Sequence, residues 1–365
     1  MIEKPPVTHS ASSGDLSLDR RYAWAEAALK DGDARAAVEI LDQTLAQAGG
    51  FVAAWHLYGL AREALGHHED AATAWRQCLD LDPADHFGAR LDLARIGAMP
   101  AEQATSENFA GTLFDGYAER FDSHLTQALD YTAPALLMEA LRRLSPLSPA
   151  CGGEGLGMGG RAGYGSTVSP RLTPPHPGPP HRKRGEGEET ALPESGALRF
   201  GAVYDLGCGT GLMGEAIREA AGFLAGCDLS PRMIERARAK TRKDGGALYD
   251  KLAIAGLTSF LVSRPDASAD LVVAADVFVY LGELGPAFAQ SARVLKDGGL
   301  LAFTTQSHEG AGVIVGADRR FAHAEPWLLR RLAQAGLAPA LVEAASTRRD
   351  RGQAVPGLLI VARKA

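Results

Sequence analysis

The chain has 365 residues, of which 46% are hydrophobic and 22% charged, and its formal net charge at pH 7 is −6. This balance is typical of a globular protein with about two domains. It argues against a nucleic-acid-binding protein, which normally presents a strongly basic surface. No apolar run approaches the ~20 residues of a membrane-spanning helix, so we expect no membrane partner. The four cysteines lack metal-binding spacing, which predicts free thiols, no metal site and a cytoplasmic location.

Residues 1–16 are polar, and we expect a disordered tail there. Residues 17–100 contain an internal repeat with a period of 34 residues, which is the distance between Gly32 and Gly66. The second repeat also carries Trp55, Tyr58, Gly59, Trp75 and Pro83. The period and these residues resemble tetratricopeptide repeats, which are antiparallel helix pairs.

The resemblance implies a small all-α domain in front of the rest of the chain. Its helix pairs would pack closely through small residues, with aromatic side chains filling the gaps between repeats. Two roles are open at this point. The helices are either a plain cap for the neighbouring domain, or a surface that docks a protein partner or a second copy of the chain.

Residues 106–145 are predicted to be helical and to include the first helix of the next domain. They contain the string F-D-x-Y-A-x-x-F-D, which runs from Phe114 to Asp122. This string resembles the N-terminal segment of a set of bacterial small-molecule methyltransferases, where it folds over the cofactor as a lid. The resemblance implies that Tyr117 contacts the cofactor and Phe121 the substrate. Alternatively, both are ordinary anchors of an amphipathic helix.

Residues 146–192 form a segment rich in glycine and proline, with 11 glycines and 6 prolines among residues 151–187. It has almost no apolar side chains to bury, so the sequence predicts a disordered insertion. The closure entropy of a loop grows slowly with its length, and such an insertion is therefore tolerated between folded elements.

Residues 196–365 begin with an apolar run that ends at Asp205 and continues into Gly207, Gly209 and Gly211. This pattern predicts a strand, a tight turn and a helix. Glycines at such a turn accept positive φ angles and let the backbone approach a ligand closely. The carboxylate of Asp205 at the end of the strand would repel a phosphate and attract an ammonium group.

The run from Asp205 to Gly211 resembles the first motif of class I S-adenosylmethionine-dependent methyltransferases. The resemblance implies that the turn, including Cys208, holds the methionine part of the cofactor. Rossmann-type sheets bind ribose hydroxyls through an acid about 20 residues further on, and Asp228 fits this role, followed by Leu229. The segment Gly209–Gly214 also satisfies the G-x-G-x-x-G pattern of a nicotinamide-dependent dehydrogenase, although that motif alone is weak.

The third predicted strand precedes Leu257. In the family that the chain resembles, an acid just before this leucine usually accepts the amino group of adenine. The present chain has Gly256 at that position. The resemblance then implies that the backbone of Leu257 makes the hydrogen bond to adenine. The same departure favours an alternative function, in which the domain binds a ligand without catalysis and the repeats act as an adaptor.

The fourth predicted strand is followed by Asp276 and Tyr280, which are candidate substrate-binding residues because open α/β sheets bind ligands at the carboxyl ends of their strands. Alternatively, Asp276 caps the following helix. His308 and His323 lie after the fifth strand and are candidates for substrate contact or proton removal; alternatively, each is an ordinary surface residue of its loop. Residues 340–347 and 357–363 predict an antiparallel hairpin. The expected fold is a seven-stranded Rossmann-like methyltransferase sheet with this hairpin at its C-terminal end.

The sequence therefore predicts methyl transfer from S-adenosylmethionine to a nucleophile of a small molecule by direct displacement. The sulfonium already activates the methyl group, so the protein mainly has to align the reactants and exclude water. The adaptor described above is the main alternative, and a nicotinamide-dependent dehydrogenase is the weaker one.

Overall fold

The computed structural model describes residues 12–120, 131–144, 198–350 and 353–365. The predicted insertion at 146–192 and Phe121 lie outside these ranges. Within them, no helix has both the length and the apolar character needed to cross a membrane.

The N-terminal part is all helical. Its helices are α1 Leu16–Lys30, α2 Ala34–Gln47, α3 Val52–Ala64, α4 His68–Leu81 and α5 Ala89–Arg95. Residues 12–15 of the predicted tail instead cap α1, because the side chain of Asp15 accepts hydrogen bonds from the backbone of Ser17 and Leu18.

The helices α1–α4 form two antiparallel pairs. Gly32 and Gly66 make the two equivalent turns, with left-handed φ angles of 88° and 79°. Gly59 in α3 lies directly against the indole ring of Trp75 in α4, so that a Cβ at this position would overlap the ring. The observed close packing therefore requires glycine at position 59, as the repeat pattern implies.

The remaining elements alternate between helices and strands. The helices are α6 Glu107–Tyr117, α7 Ala133–Arg143, α8 Leu212–Ile217, α9 Pro231–Ala239, α10 Leu257–Val262, α11 Gly285–Val294 and α12 Glu325–Gln334. The strands are β1 Phe200–Leu206, β2 Ala221–Asp228, β3 Lys251–Ile254, β4 Ala269–Ala274, β5 Leu295–Ser307, β6 Val313–Val315, β7 Phe321–His323, β8 Leu337–Ala344, β9 Arg349–Asp350, β10 Gln353–Ala354 and β11 Gly357–Lys364.

The main sheet has the strand order β3-β2-β1-β4-β5-β11-β8. The first five strands are parallel, whereas β11 is antiparallel to both β5 and β8. A mixed α/β sheet behind N-terminal helices is thus confirmed. The strand count differs from the predicted seven, because β6 and β7 extend the sheet beside β5 and bring its described strands to nine.

Both faces of the sheet are covered. Val203 and Val273 belong to a core cluster with Leu137 and Ile217, on the side of α7 and α8. The neighbouring residues on the same strands, such as Tyr204, belong to the opposite cluster, which contains Phe260, Phe278, Phe288, Phe303 and Leu328. This burial on two faces explains why the parallel strands are almost continuously apolar. It leaves the carboxyl ends of the strands as the edge available to a ligand.

The helical part is joined to the sheet domain by Asp92 in α5, whose side chain is fully buried. Its carboxylate lies 2.9 Å from Nε2 of His56 and 2.9 Å from Nη2 of Arg319, which precedes β7. Burial by itself would raise the pKa of Asp92. The hydrogen bond from His56 and the charge of Arg319 outweigh it, so that the pKa of Asp92 is lowered from its ordinary value. The same Nη2 of Arg319 also donates to the carbonyl oxygens of Phe87 and Gly88.

We predict that Asp92→Asn lowers the free energy of unfolding by about 3 kcal/mol, because it leaves the Arg319 guanidinium without its buried counter-charge. The matched control is Asp70→Asn in α4, whose side chain is 57% exposed and 3.5 Å from Arg62; it should cost below about 1 kcal/mol. Urea denaturation followed by circular dichroism measures both. Equal, small losses in the two variants would contradict a structural role for the buried carboxylate.

Candidate functional site

The turn after β1 carries the three predicted glycines. Gly207, Gly209 and Gly211 have left-handed φ angles of 60°, 52° and 96°, which residues with a side chain rarely adopt. At Gly207, an added Cβ would also lie 2.7 Å from a methyl group of Val277. The glycines therefore allow the turn to pack against the segment after β4.

Asp228 ends β2 and connects this turn to the next loop. Its Oδ2 accepts a hydrogen bond from the backbone N–H of Gly209 at 2.9 Å, and its Oδ1 accepts one from Ser230 at 2.9 Å. Burial raises the pKa of Asp228 despite these bonds. Each carboxylate oxygen can accept a second hydrogen bond, so the residue keeps the capacity to bind hydroxyl groups of a ligand.

A cavity lies at the carboxyl ends of β1, β2 and β4. Five predicted site residues line it, namely Gly207, Asp228, Leu229, Leu257 and Tyr280. The other lining residues are Thr105, Ser106, Glu107, Ala110, Phe114, Val277 and Leu281. The cavity measures about 60 Å³, and α6 forms one of its walls.

Helix α6, the described part of the predicted lid, forms one wall of the cavity through Glu107, Ala110 and Phe114. Its residue Gly111 faces Leu229, where an added Cβ would be in ordinary van der Waals contact, 3.7 Å from the Cβ of that leucine. The ring of Phe114 packs edge-on against Tyr280, with centroids 4.9 Å apart. Tyr117 is the last residue of α6, and its side chain lies outside the described part of the structure.

Asp205 lies beside the cavity but does not line it. It is buried, and the hydroxyl group of Tyr249 donates to its Oδ2 at 2.6 Å. Its Oδ1 is buried and has no hydrogen-bond partner in the described residues. Burial raises the pKa of Asp205 to about 7, and the charge of Asp228 adds to this effect. The unpaired oxygen fits a ligand donor, but Asp205 is not at the surface of the site as we expected.

Cys208, which is predicted to hold the cofactor as part of the turn, is not among the residues that line the cavity. Its side chain is buried and packs against Gly226, where an added Cβ would lie 3.0 Å from its sulfur. Its backbone N–H donates to the carbonyl oxygen of Cys227 at 2.8 Å, which ties the turn to β2. Burial raises the pKa of the Cys208 thiol. These contacts indicate a structural residue, because the thiol points into the core.

Asp276 follows β4 directly and has a left-handed φ angle of 59°. Its side chain is 12% exposed, and its carboxylate accepts a hydrogen bond from the hydroxyl group of Thr347 at 3.1 Å and lies 3.6 Å from Nη1 of Arg348. Burial raises the pKa of Asp276. Tyr280 lies on the cavity wall nearby, and burial raises its pKa to about 12.

His323 is not placed for catalysis. It is the last residue of β7 and is fully buried. Its Nε2 donates to the carbonyl oxygen of Leu281 at 2.9 Å, so that its Nδ1 accepts from the hydroxyl group of Thr305, also at 2.9 Å. The ring stacks on Trp327, and burial lowers the pKa of His323 to about 4. The structure thus corrects the predicted role, because both ring nitrogens are already used.

His308 lies in the loop after β5, outside the lining of the cavity. Its Nδ1 accepts a hydrogen bond from the backbone N–H of Gly310 at 3.1 Å, and its Nε2 lies 3.2 Å from the carbonyl oxygen of Gly312. The side chain therefore organises its own loop in this conformation. This arrangement does not favour the predicted contact with substrate.

Sequence reasoning missed two features of the site. Glu107 lines the cavity from α6, although nothing in the local sequence distinguishes it from a surface acid. Arg320 lies over the ring of Tyr280, with 5.3 Å between its guanidinium carbon and the ring centroid. In the sequence, Arg320 stands three residues before the candidate His323. This proximity does not show which of the nearby side chains reaches the site.

Comparison with solved structures returns many methyltransferases. A protein from Methanosarcina mazei is 18% identical with a TM-score of 0.38, and covers 46% of this chain and 93% of its own. A protein from Mesorhizobium loti is 24% identical with a TM-score of 0.35, and covers 47% of this chain and 93% of its own. Both are described as S-adenosylmethionine-dependent methyltransferases.

Residues 204–303 match the family model described as "Methyltransferase domain". The ubiquinone biosynthesis O-methyltransferase of Idiomarina loihiensis is 30% identical over 104 residues, which are 28% of this chain. The match spans 41% of the length of that relative. Residues 204–303, which match the family model, contain the glycine turn, Asp228, Leu257 and Asp276. The central part of the chain, residues 204–303, is thus similar to a methyltransferase domain.

Proposed function

We propose that this protein transfers the methyl group of S-adenosylmethionine to a small-molecule acceptor. The observation that carries the proposal is the cavity at the carboxyl ends of the parallel strands, where Gly207, Asp228, Leu229, Leu257 and Tyr280 converge. Open α/β sheets bind ligands at this edge. The main sheet shares the order 3-2-1-4-5 with dinucleotide-binding sheets, but its sixth strand, β11, is antiparallel, which disfavours the dehydrogenase alternative.

The residues of the site suit an adenosyl amino acid. Asp228, which lines the cavity, would accept ribose hydroxyl groups, and the unpaired oxygen of Asp205 would accept a hydrogen bond from the ammonium group of the cofactor. The bound cofactor would supply a methyl group already activated by its sulfonium. The chain would then contribute alignment and exclusion of water, which can lower a reaction barrier substantially. Helix α6 and the Phe114–Tyr280 pair provide the wall that excludes water.

A proton acceptor is required only when the nucleophile keeps its proton near neutral pH. Both ring nitrogens of His323 are occupied, and His308 lies away from the cavity. Asp276 is the stronger candidate, since it follows β4 at the ligand-binding edge and burial raises its pKa. We therefore assign Asp276, together with Tyr280, to the acceptor side of the site.

We further propose that the N-terminal helix pairs are tetratricopeptide repeats. The 34-residue spacing of Gly32 and Gly66 and the contact between Gly59 and Trp75 support this assignment. The ion pair between Asp92 and Arg319 joins the N-terminal helices to the sheet domain. This contact supports the proposal that the helices hold the elements around the site in position. We also propose that the repeats dock a protein partner and that the protein is cytoplasmic.

We predict that the wild type binds S-adenosylhomocysteine and that Asp228→Ala weakens this binding about 10-fold or more, because hydrogen bonds to a charged group are lost. Isothermal titration calorimetry gives the two dissociation constants. Glu235→Ala in α9 is the control, since this acid is exposed and outside the cavity. Absence of binding to the wild type, or stabilisation by NADH alone, would contradict the proposed function.

The buried His323 should make the stability of the protein depend on pH. Its folded pKa of about 4 lies below the ordinary value of 6.5, so the unfolded chain binds more protons between these pH values. The stability that the neutral ring contributes is complete above pH ~6.5 and is lost as the pH falls toward 4. Relative to His323→Gln, the wild type should therefore lose about 3 kcal/mol of unfolding free energy over this range.

Urea denaturation at several pH values measures this difference, and calorimetry with S-adenosylhomocysteine serves as the control. The His323→Gln variant should keep its affinity for that compound, because the residue does not line the cavity. Parallel stability profiles for the wild type and the variant, or a loss of affinity in the variant, would contradict a purely structural histidine.

A further inference from the structure

We propose that Glu107, at the start of α6, accepts a hydrogen bond from the exocyclic amino group of adenine when the adenosyl cofactor binds. The inference deepens the proposed function and rests on it, since it names the residue that recognises the base. Glu107 is 149 residues away in sequence from Gly256, where the resemblance leads one to expect the base-recognising acid.

The lining of the cavity places Glu107 on the base side. Asp228 and Glu107 are the carboxylates among the described lining residues, and apolar side chains including Leu229 and Leu257 lie with them. Asp228 ends β2, the position that binds ribose hydroxyls in Rossmann-type sheets. A nucleoside held there would extend its base along the two leucines, and Glu107 would meet the polar edge of that base.

The backbone of Gly256 explains why the carboxylate fits. A Cβ added at Gly256 would lie 2.6 Å from Oε1 and 3.0 Å from Cδ of Glu107. Any side chain at position 256 would therefore collide with Glu107 in this conformation. The carboxylate of Glu107 thus occupies the place where an acid at position 256 would begin, and the glycine makes room for it.

Helix α6 is held at its N-terminal end, which fixes the backbone that carries Glu107. The hydroxyl group of Ser106 accepts a hydrogen bond from the N–H of Phe109 at 3.2 Å and donates to the carbonyl oxygen of Asp85 at 2.9 Å. The side-chain amide of Asn108 donates to the carbonyl oxygen of Ala84 at 2.9 Å. The first turn of the helix is therefore anchored to the segment that follows α4.

The other end of α6 is held against the loop after β2. The hydroxyl group of Ser230 donates to the carboxylate of Asp115. Between the two anchors, Glu107, Ala110 and Phe114 face the cavity. Their spacing of three and four residues is that of one helix face, so that the register of α6 presents Glu107 together with the apolar wall.

The chemistry of adenine suits this carboxylate. The exocyclic amino group is a donor, and an ionised carboxylate is purely an acceptor. A base that carries an oxo group at the same position would place an oxygen against Glu107 and be repelled. Hydrogen bonds to a charged group correspond to about 10-fold or more in affinity, so Glu107 should confer at least this preference for an amino over an oxo base.

Calorimetry with S-adenosylhomocysteine and with S-inosylhomocysteine, its 6-oxo analogue, tests the proposal. The wild type should bind the adenine compound about 10-fold more tightly or better. In Glu107→Gln and Glu107→Ala this ratio should fall close to 1. Glu119→Gln, which changes an exposed acid beyond the end of α6, should keep the wild-type ratio.

A double variant tests whether the position of the carboxylate, and not only its charge, determines the preference for adenine. Glu107→Ala combined with Gly256→Asp returns a carboxylate to the same place, and Gly256 has a φ of −66° that aspartate can adopt. This double variant should regain the preference for the adenine compound. If both Glu107 variants keep the wild-type preference for the adenine compound, the inference about Glu107 is overturned. In that case, weaker binding in Asp228→Ala would still uphold the proposed function. Failure of the wild type to bind S-adenosylhomocysteine would overturn both.

Discussion

The carboxylate of Asp228 holds together the two loops on which the candidate site depends. One oxygen receives the N–H of Gly209 in the turn after β1, and the other receives the N–H of Ser230 in the loop after β2. A buried carboxylate without partners would be very costly, so these bonds are also what allows an acid at this place. The residue expected to bind ribose is therefore first a structural link between neighbouring strands.

The same loops receive α6, which connects the site to the N-terminal helices. Ser230, already bonded to Asp228, donates its hydroxyl group to Asp115 near the end of α6, while Ser106 at the start of α6 is bonded to Asp85. A displacement of α6 that enlarges the 60 Å³ cavity must therefore strain or break one of these anchors. The helical part is therefore connected through α6 to one wall of the cavity.

The elements that the sequence predicted well are those specified by local pattern. β1, its glycine turn and Asp228 follow from an apolar run, positive-φ glycines and the spacing of an acid. The roles of His323 and Glu107 could not be predicted in this way. His323 has the spacing of a loop residue, but contacts with Leu281 and Thr305 draw it into the core. Glu107 reaches Gly256 only through the docking of α6, and contacts between distant segments leave no mark in local sequence.

The residues assigned to the methyl acceptor, Asp276 and Tyr280, limit the kind of nucleophile that the protein can use. Asp276 is paired with Thr347 and lies near Arg348, which itself donates to Asp318 at 2.9 Å. A carboxylate engaged in this way is a weaker base than a free one at the same depth, although burial raises its pKa. Both histidines of this region are occupied by other partners. We therefore favour acceptors whose nucleophilic atom is already deprotonated, or ionises readily, near neutral pH, for which alignment and exclusion of water are sufficient.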